Sequence, residues 1–319
     1  MPFARYVVEN AGYLNFPFSR YQIQKVWRGE RPQEGRAREF TQADIDVVGL
    51  GELPFHYEVD LPLVMAEALM SLPIPPVHVL VNNRKVVQGV CEGIGVSDVE
   101  SALRGLDKLD KIGPEGVREE LTEAGLNSEQ IDVLLRMAQI RSEDASQLQQ
   151  EVAALGVSSE TLDQGLTELC ALVDEANAAM PGVIIADLKI ARGLDYYTGS
   201  VYESEIVGHE DLGSICSGGR YDSLAKDGKR TYPGVGLSIG VSRLVSRILS
   251  QDMVSASRKV PTCVVIAVAD ESERRHCNAL ATILRRRGIP TDVAPSAAKF
   301  GKQIKFADKR GIPFVWFPG

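Results

Sequence analysis

Two kinds of periodicity organise the chain. From Tyr21 to Val47 polar and apolar residues alternate with period two. Gln22, Gln24, Val26 and Arg28 share one face and Ile23 and Trp27 the other; beyond a polar loop, Gln42, Asp44 and Asp46 oppose Ala43, Ile45 and Val47. Successive side chains of a strand point to opposite faces, so the spacing predicts strand, long loop, strand. One face is expected to pack through Ile23, Trp27, Ala43, Ile45 and Val47, while the other presents amides, carboxylates and an arginine. A solvated antiparallel hairpin shows the same alternation, so the pattern alone leaves the role of the polar face open.

Elsewhere the period is near 3.6. "ELPFHYEVDLPLVMAEALMSL" predicts a helix, and "VHVLVNNRKVVQGVCEGIG" a strand, a turn at Asn82 and Asn83, then a helix. From about Val96 to Met180 the chain is rich in Leu, Glu, Asp, Gln and Ala at helical spacing, read as a small all-helical insertion; the alternative is a helical face of the main domain. Pro181 to Arg258 is rich in strands and glycine. From Val260 strands and amphipathic helices alternate, with Gly288 and Gly311 as helix stops, a parallel α/β pattern. The expected divisions are residues 1–97, 98–180, 181–258 and 259–319.

Composition narrows the function. The 319 residues suit two or three domains, and no apolar run nears the roughly 20 residues of a membrane span. The start has no basic segment followed by an apolar one, so a cytoplasmic location is expected. A net charge of −8 argues against a nonspecific basic nucleic-acid binder, while leaving room for a local basic surface. The five cysteines, Cys91, Cys170, Cys216, Cys263 and Cys277, have neither disulfide-framework nor zinc-ligand spacing, and the four histidines are scattered. The loop "RGERPQEGRAR" is distinctive. Its arginines Arg28, Arg31, Arg36 and Arg38 suit a polyphosphate, because guanidinium groups match phosphate oxygens in pairs.

Four segments carry a family resemblance. "YQIQKVWRGERPQEGRAREFTQADIDVVG" (Tyr21–Gly49) resembles motif 2 of class II aminoacyl-tRNA synthetases, in the form found in the histidyl-tRNA synthetase family. "ARGLDYYTGSVYE" (Ala191–Glu203) resembles that family's histidine signature, and "SGGRYDSLA" its companion glycine-rich segment. "GVGLSIGVSRL" (Gly234–Leu244) resembles class II motif 3.

The resemblance implies an α/β (α+β) fold: an antiparallel class II catalytic sheet with a helical insertion, then a smaller parallel α/β anticodon-binding domain. It implies a histidine–tRNA ligase, which joins the carboxylate of L-histidine to the α-phosphate of ATP, releases pyrophosphate and passes histidyl to tRNA(His). ATP would enter as a substrate with Mg2+, without a tightly bound, protein-ligated metal. By position in the motifs, Arg28 and Arg192 would act catalytically on the α-phosphate, with Arg192 also lining the histidine site. Arg243 and Arg36 would hold the terminal phosphates, and Glu30 would help seat the adenine. Asp46 and Tyr197 would read the two imidazole nitrogens, Tyr196 and Tyr221 would line the pocket, and Gln42 would touch the α-amino or carboxylate side. Lys299, Lys302, Lys305, Lys309 and Arg310 would meet the anticodon stem.

The chain departs from the family's pattern at Ala37, where an aromatic residue is usual, and at Ser242, where an acidic one is. Class II motif 1, which forms the family's dimer interface, precedes motif 2 and has no counterpart here. The anticodon domain would also continue past Gly319. The expectation is therefore a form trimmed at both ends, weakly active or inactive alone, with the family's homodimer in doubt. The alternative implied by the same fold is a non-catalytic histidine-binding paralogue that regulates ATP phosphoribosyltransferase.

Overall fold

The structure, a computed structural model, describes residues 2–29, 31, 37–191, 196–228 and 230–319. It divides into two compact units, Met1–Met253 and Val254–Gly319.

The first unit opens on helix α1 (Pro2–Asn10) and the antiparallel pair β1 (Phe18–Trp27) and β2 (Glu39–Val48). Helix α2 (His56–Met70) leads to β3 (Val77–Asn83), which runs directly into α3 (Arg84–Gly93). Helices α4 (Val99–Leu106), α5 (Leu109–Glu123) and α6 (Ser128–Met137) follow, then a two-residue strand β4 (Arg141–Ser142), α7 (Ala145–Ala153) and α8 (Glu160–Ala179). After them come β5 (Ile184–Asp187), β6 (Ser200–Ile206), β7 (Cys216–Tyr221), the short hairpin β8 (Lys226–Asp227) and β9 (Arg230–Thr231), β10 (Gly234–Ile239) and α9 (Val241–Ser250).

The main sheet runs β1-β2-β10-β7-β6-β3-β5-β4. Every neighbouring pair is antiparallel except β3 and β5. Parallel neighbours need a long crossover, and helices α3 to α8 supply it. The stretch read as an all-helical insertion therefore holds one exception, β4, which pairs with β5. Its last helix, α8, packs on α3, β3 and β5, as a helical face of the sheet does. A Cβ on Gly89 of α3 would lie 2.2 Å from the Leu162 backbone nitrogen, so only glycine permits this approach of the two helices. Leu69, Val81, Val90, Leu103, Leu134, Leu148 and Leu172 share one continuous core drawn from both the helices and the sheet.

Asn83 forms the expected turn between β3 and α3. Its side-chain oxygen accepts from the Lys85 backbone N–H at 3.0 Å, and its amide donates to Glu168 of α8 at 2.8 Å. The residue is fully buried. Asn83→Ala removes a helix cap and takes one donor from the half-buried Glu168, which keeps Lys85, an expected loss of about 1–2 kcal/mol in urea unfolding. A change below about 0.5 kcal/mol contradicts this reading of the turn.

One expectation fails at the sheet edge. Ala43, Ile45 and Val47 of β2 do pack against the core, but Ile23 and Trp27 of β1 are 67% and 69% exposed. Helices α2 and α9 lie against β2, and β1 is the edge strand beyond them, so its apolar face is uncovered. Strand alternation assigns the faces; whether a layer covers a face is decided elsewhere in the chain.

The second unit is a three-stranded parallel sheet, ordered β12-β11-β13. In chain order it comprises β11 (Val264–Ile266), α10 (Arg274–Arg286), β12 (Thr291–Val293), α11 (Phe300–Arg310) and β13 (Phe314–Trp316). Gly311 adopts a left-handed conformation at the end of α11, as its place in the sequence predicts. Val265, Ile266, Cys277, Ala281 and Ala307 form a separate core. No helix among the described residues is long and apolar enough to cross a membrane.

Candidate active site

The polar face read from the alternation continues across four strands. Arg20 of β1 stands opposite Asp46 of β2, Asp46 opposite Gly236 of β10, and Gly236 opposite Gly219 of β7. Residues directly opposite in antiparallel strands project to the same side, so this row forms one surface. Its glycine end is low because side chains lie over it. A Cβ on Gly236 would fall 2.0 Å from Asp46 Oδ1, and one on Gly219 would fall 2.7 Å from the Tyr197 ring. On the neighbouring row, a Cβ on Gly234 would meet the Tyr221 ring at 2.5 Å. Asp46, Tyr197 and Tyr221 therefore converge over a floor of bare backbone.

Both carboxylate oxygens of Asp46 are engaged. Arg20 Nη2 lies 2.6 Å from Oδ2, and the Tyr221 hydroxyl donates to Oδ1 at 3.0 Å. Burial pushes the Asp46 carboxyl up to about 6, with the positive charge of Arg20 and the Tyr221 hydrogen bond pulling the other way. Asp44, two residues away on the same face, adds to the upward push. The Tyr221 hydroxyl is raised well above its ordinary value by burial and by the neighbouring carboxylate, so it stays protonated and donates. Tyr197 is buried, with its ring centroid 4.6 Å from that of Tyr196.

A second network lies beneath this surface. Glu58 of α2, 2% exposed, pairs with Arg220 at 2.7 Å and accepts from the Ser200 N–H at 3.3 Å. Arg220 also donates to Asp222, which accepts from the Thr198 hydroxyl. The segment that carries Tyr197 into β6, and strand β7 that carries Tyr221, are thus tied to α2 through buried charge.

The remaining expected residues are placed as follows. Gln42 is on the same face as Asp46, opposite Gln24 and beyond the end of the β10 pairing. Arg28 follows the last residue of β1; its backbone N–H donates to the Arg38 carbonyl, and its guanidinium lies 5.0 Å from the Phe40 ring. Arg243, at the start of α9, donates to the backbone carbonyls of Leu212 and Ser214 at 2.9 and 3.0 Å. Glu30, Arg36 and Arg192 lie outside the described residues.

Comparison with known proteins gives this surface a context. A family model described as histidyl-tRNA synthetase matches residues 18–244, and one described as an anticodon binding domain matches residues 262–319. The chain is 60% identical over 320 residues to a histidine–tRNA ligase of Micrococcus luteus, covering all of this chain and 70% of that protein. It is 56% identical to the corresponding ligase of Cutibacterium acnes, over all of this chain and 71% of that one. The chain belongs to the histidyl-tRNA synthetase family. A solved histidyl-tRNA synthetase from Nostoc sp. PCC 7120 superposes with a TM-score of 0.86 at 34% identity, over 98% of this chain and 73% of that one.

Two features of this histidyl-tRNA synthetase chain escape the motif reading. Arg20 stands one residue before the motif 2 segment, although extending the same period-two face back from Gln22 reaches it. The Glu58–Arg220 pair links residues 162 positions apart, and no local pattern announces it.

Proposed function

We propose that this chain acts as a histidine–tRNA ligase, with the pocket over Asp46 reading the imidazole of L-histidine. The observation that carries the site is the convergence of Asp46, Tyr197 and Tyr221 over the glycine floor. A neutral imidazole offers one N–H and one lone pair. A carboxylate accepts the first and a tyrosine hydroxyl donates to the second, so Asp46 and Tyr197 are complementary to both edges of the ring. A buried site of this kind discriminates strongly against a ring lacking either group, because its own polar groups would be left unpaired.

The reaction then needs little covalent help from the protein. A carboxylate oxygen of histidine attacks the α-phosphorus of ATP, the bond to the bridging oxygen breaks, and pyrophosphate leaves. A hydroxyl at the tRNA 3′ end next attacks the acyl carbon, and AMP leaves. In this reading Arg28 and Arg192 neutralise the α-phosphate, Arg36 and Arg243 hold the terminal phosphates, Glu30 seats the adenine, and Mg2+ enters bound to ATP. Gln42 and Tyr196 complete the amino-acid side. Lys302, Lys305, Lys309 and Arg310, exposed on α11, contact the anticodon stem, with Lys299 at the head of that helix. We retain residues 98–180 as the insertion in the catalytic domain. The family's homodimer belongs to the same proposal. The synthetase reading is preferred to the regulatory paralogue because relatives at up to 60% identity are named ligases.

The test is histidine-dependent ATP–pyrophosphate exchange. Asp46→Asn should raise the KM for histidine on the order of 10- to 100-fold, the worth of a hydrogen bond to a charged group, with little change in the KM for ATP. An unchanged KM for histidine would remove Asp46 from the site.

A further inference from the structure

Arg20 makes the shortest polar contact with Asp46, and its surroundings show a shaped site. One guanidinium nitrogen lies 2.6 Å from Asp46 Oδ2, and another donates to the Gln22 side chain at 3.2 Å. The Phe3 ring of α1 covers the guanidinium at 4.1 Å. The side chains of Arg20 and Asp46 are only 17% and 13% exposed. Gln22, which holds the guanidinium, stands opposite Asp44. Asp44 Oδ1 and Arg20 Nε are both buried and have no hydrogen-bond partner among the described residues.

Asp44 and Asp46 thus form a like-charged pair on one face of one strand, and Arg20 is the cation set against them. Two carboxylates sharing a poorly hydrated site do not both ionise readily; without a counter-charge, one takes up a proton. Among the described residues, the other groups facing Asp46 cannot replace Arg20. Tyr221 from β7 is a neutral donor, Tyr197 beside it carries no positive charge, and β10 presents Gly236. Helix α1 contributes the Phe3 ring, while its Arg5 pairs with Glu9.

We propose that Arg20 is a positioning residue for histidine recognition, holding Asp46 ionised and oriented against the field of Asp44 so that its carboxylate can accept the imidazole N–H. This inference rests on the assignment of Asp46 to the histidine pocket and deepens it. The upward push on Asp46 from burial and Asp44, and the opposing pull from Arg20, agree with it. Binding requires the ionised form, so affinity falls as pH drops through the titration of Asp46, and loss of Arg20 moves that fall to higher pH.

The experiment is calorimetric titration of the full chain with L-histidine at pH 6, 7 and 8.5. The variants are Arg20→Met, Arg20→Gln, Arg20→Lys, the double variant Arg20→Met/Asp44→Asn, and Asp46→Asn, each checked for folding by circular dichroism. The readout is the Kd ratio of variant to parent at each pH, which cancels the titration of free histidine. An opposite charge at this distance moves a carboxylate by about 1–3 pH units, so the Arg20→Met and Arg20→Gln ratios should be about tenfold at pH 6 and fall severalfold by pH 8.5. Arg20→Lys should keep the parent's profile, and Asp44→Asn should restore much of it to Arg20→Met. Arg20→Gln, nearly isosteric and neutral, carries the test if Arg20→Met does not fold. A ratio that does not vary with pH, whatever its size, overturns the proposal while a weakened Asp46→Asn leaves the pocket standing. Parent-like histidine binding by Asp46→Asn overturns both.

Discussion

Replacing Gly236 by alanine should lower the catalytic efficiency of histidine-dependent pyrophosphate exchange a hundredfold or more, while the chain stays folded. The added Cβ would sit 2.0 Å from Asp46 Oδ1 and 2.7 Å from Cγ, closer than any real contact. Its nearest backbone neighbour, the Ile45 carbonyl, is 3.1 Å away, so the Asp46 side chain is what must yield. Rotating the carboxylate breaks its contacts with Arg20 and Tyr221 and takes it away from the position proposed for the imidazole. A hundredfold loss is about 2.8 kcal/mol, within the worth of a buried charged hydrogen bond together with the misplaced group it leaves. The chain should stay folded but unfold at a lower temperature, because turning one side chain is cheaper than shifting a central strand yet parts the largely buried Arg20–Asp46 pair. An efficiency within threefold of the parent would show that Asp46 does not read the substrate.

The largest expected effect on stability is at the buried pair. Glu58→Ala should destabilise the chain by about 3–5 kcal/mol, the cost of leaving a buried charge without its partner. Arg220 keeps Asp222 and the Leu53 carbonyl as partners, which favours the lower end of that range. Glu58→Ala/Arg220→Met should cost clearly less than the sum of the two single changes, because the orphaned charge is absent from the double variant. Urea unfolding measures all three. A Glu58→Ala loss below about 1 kcal/mol, or full additivity, would mean that the pair does not tie α2 to the signature strands.

Much of this organisation was legible beforehand. The alternation from Gln22 to Val47 defines β1 and β2 and the polar face between them, because it reflects a local geometric property of extended backbone. Asn82 and Asn83 mark the strand-to-helix junction for an equally local reason, since a short amide side chain can cap the first turn. The motifs brought Asp46, Tyr197 and Tyr221 onto one candidate list; strand pairing set Asp46 and Tyr221 beside β10, and the segment before β6 laid Tyr197 over Gly219. Arg20 was within reach of the alternation but lay one step before the segment that carries the motif. Glu58 lies inside the predicted helix with nothing in the sequence to single it out, and Ile23 and Trp27 read as packed residues.

By itself, then, the sequence determined the elements, the face on which each polar side chain stands and the family to which the chain is related, all of which depend on neighbours along the backbone. Only the tertiary structure decided that β10 lies between β2 and β7, which sets Gly236 beneath Asp46. It also decided that β1 is an edge, which leaves Ile23 and Trp27 bare, and that Arg220 meets Glu58 in the interior. Strand order and burial are set by packing between segments far apart in the chain, and a period of two is the same whichever strand becomes the neighbour.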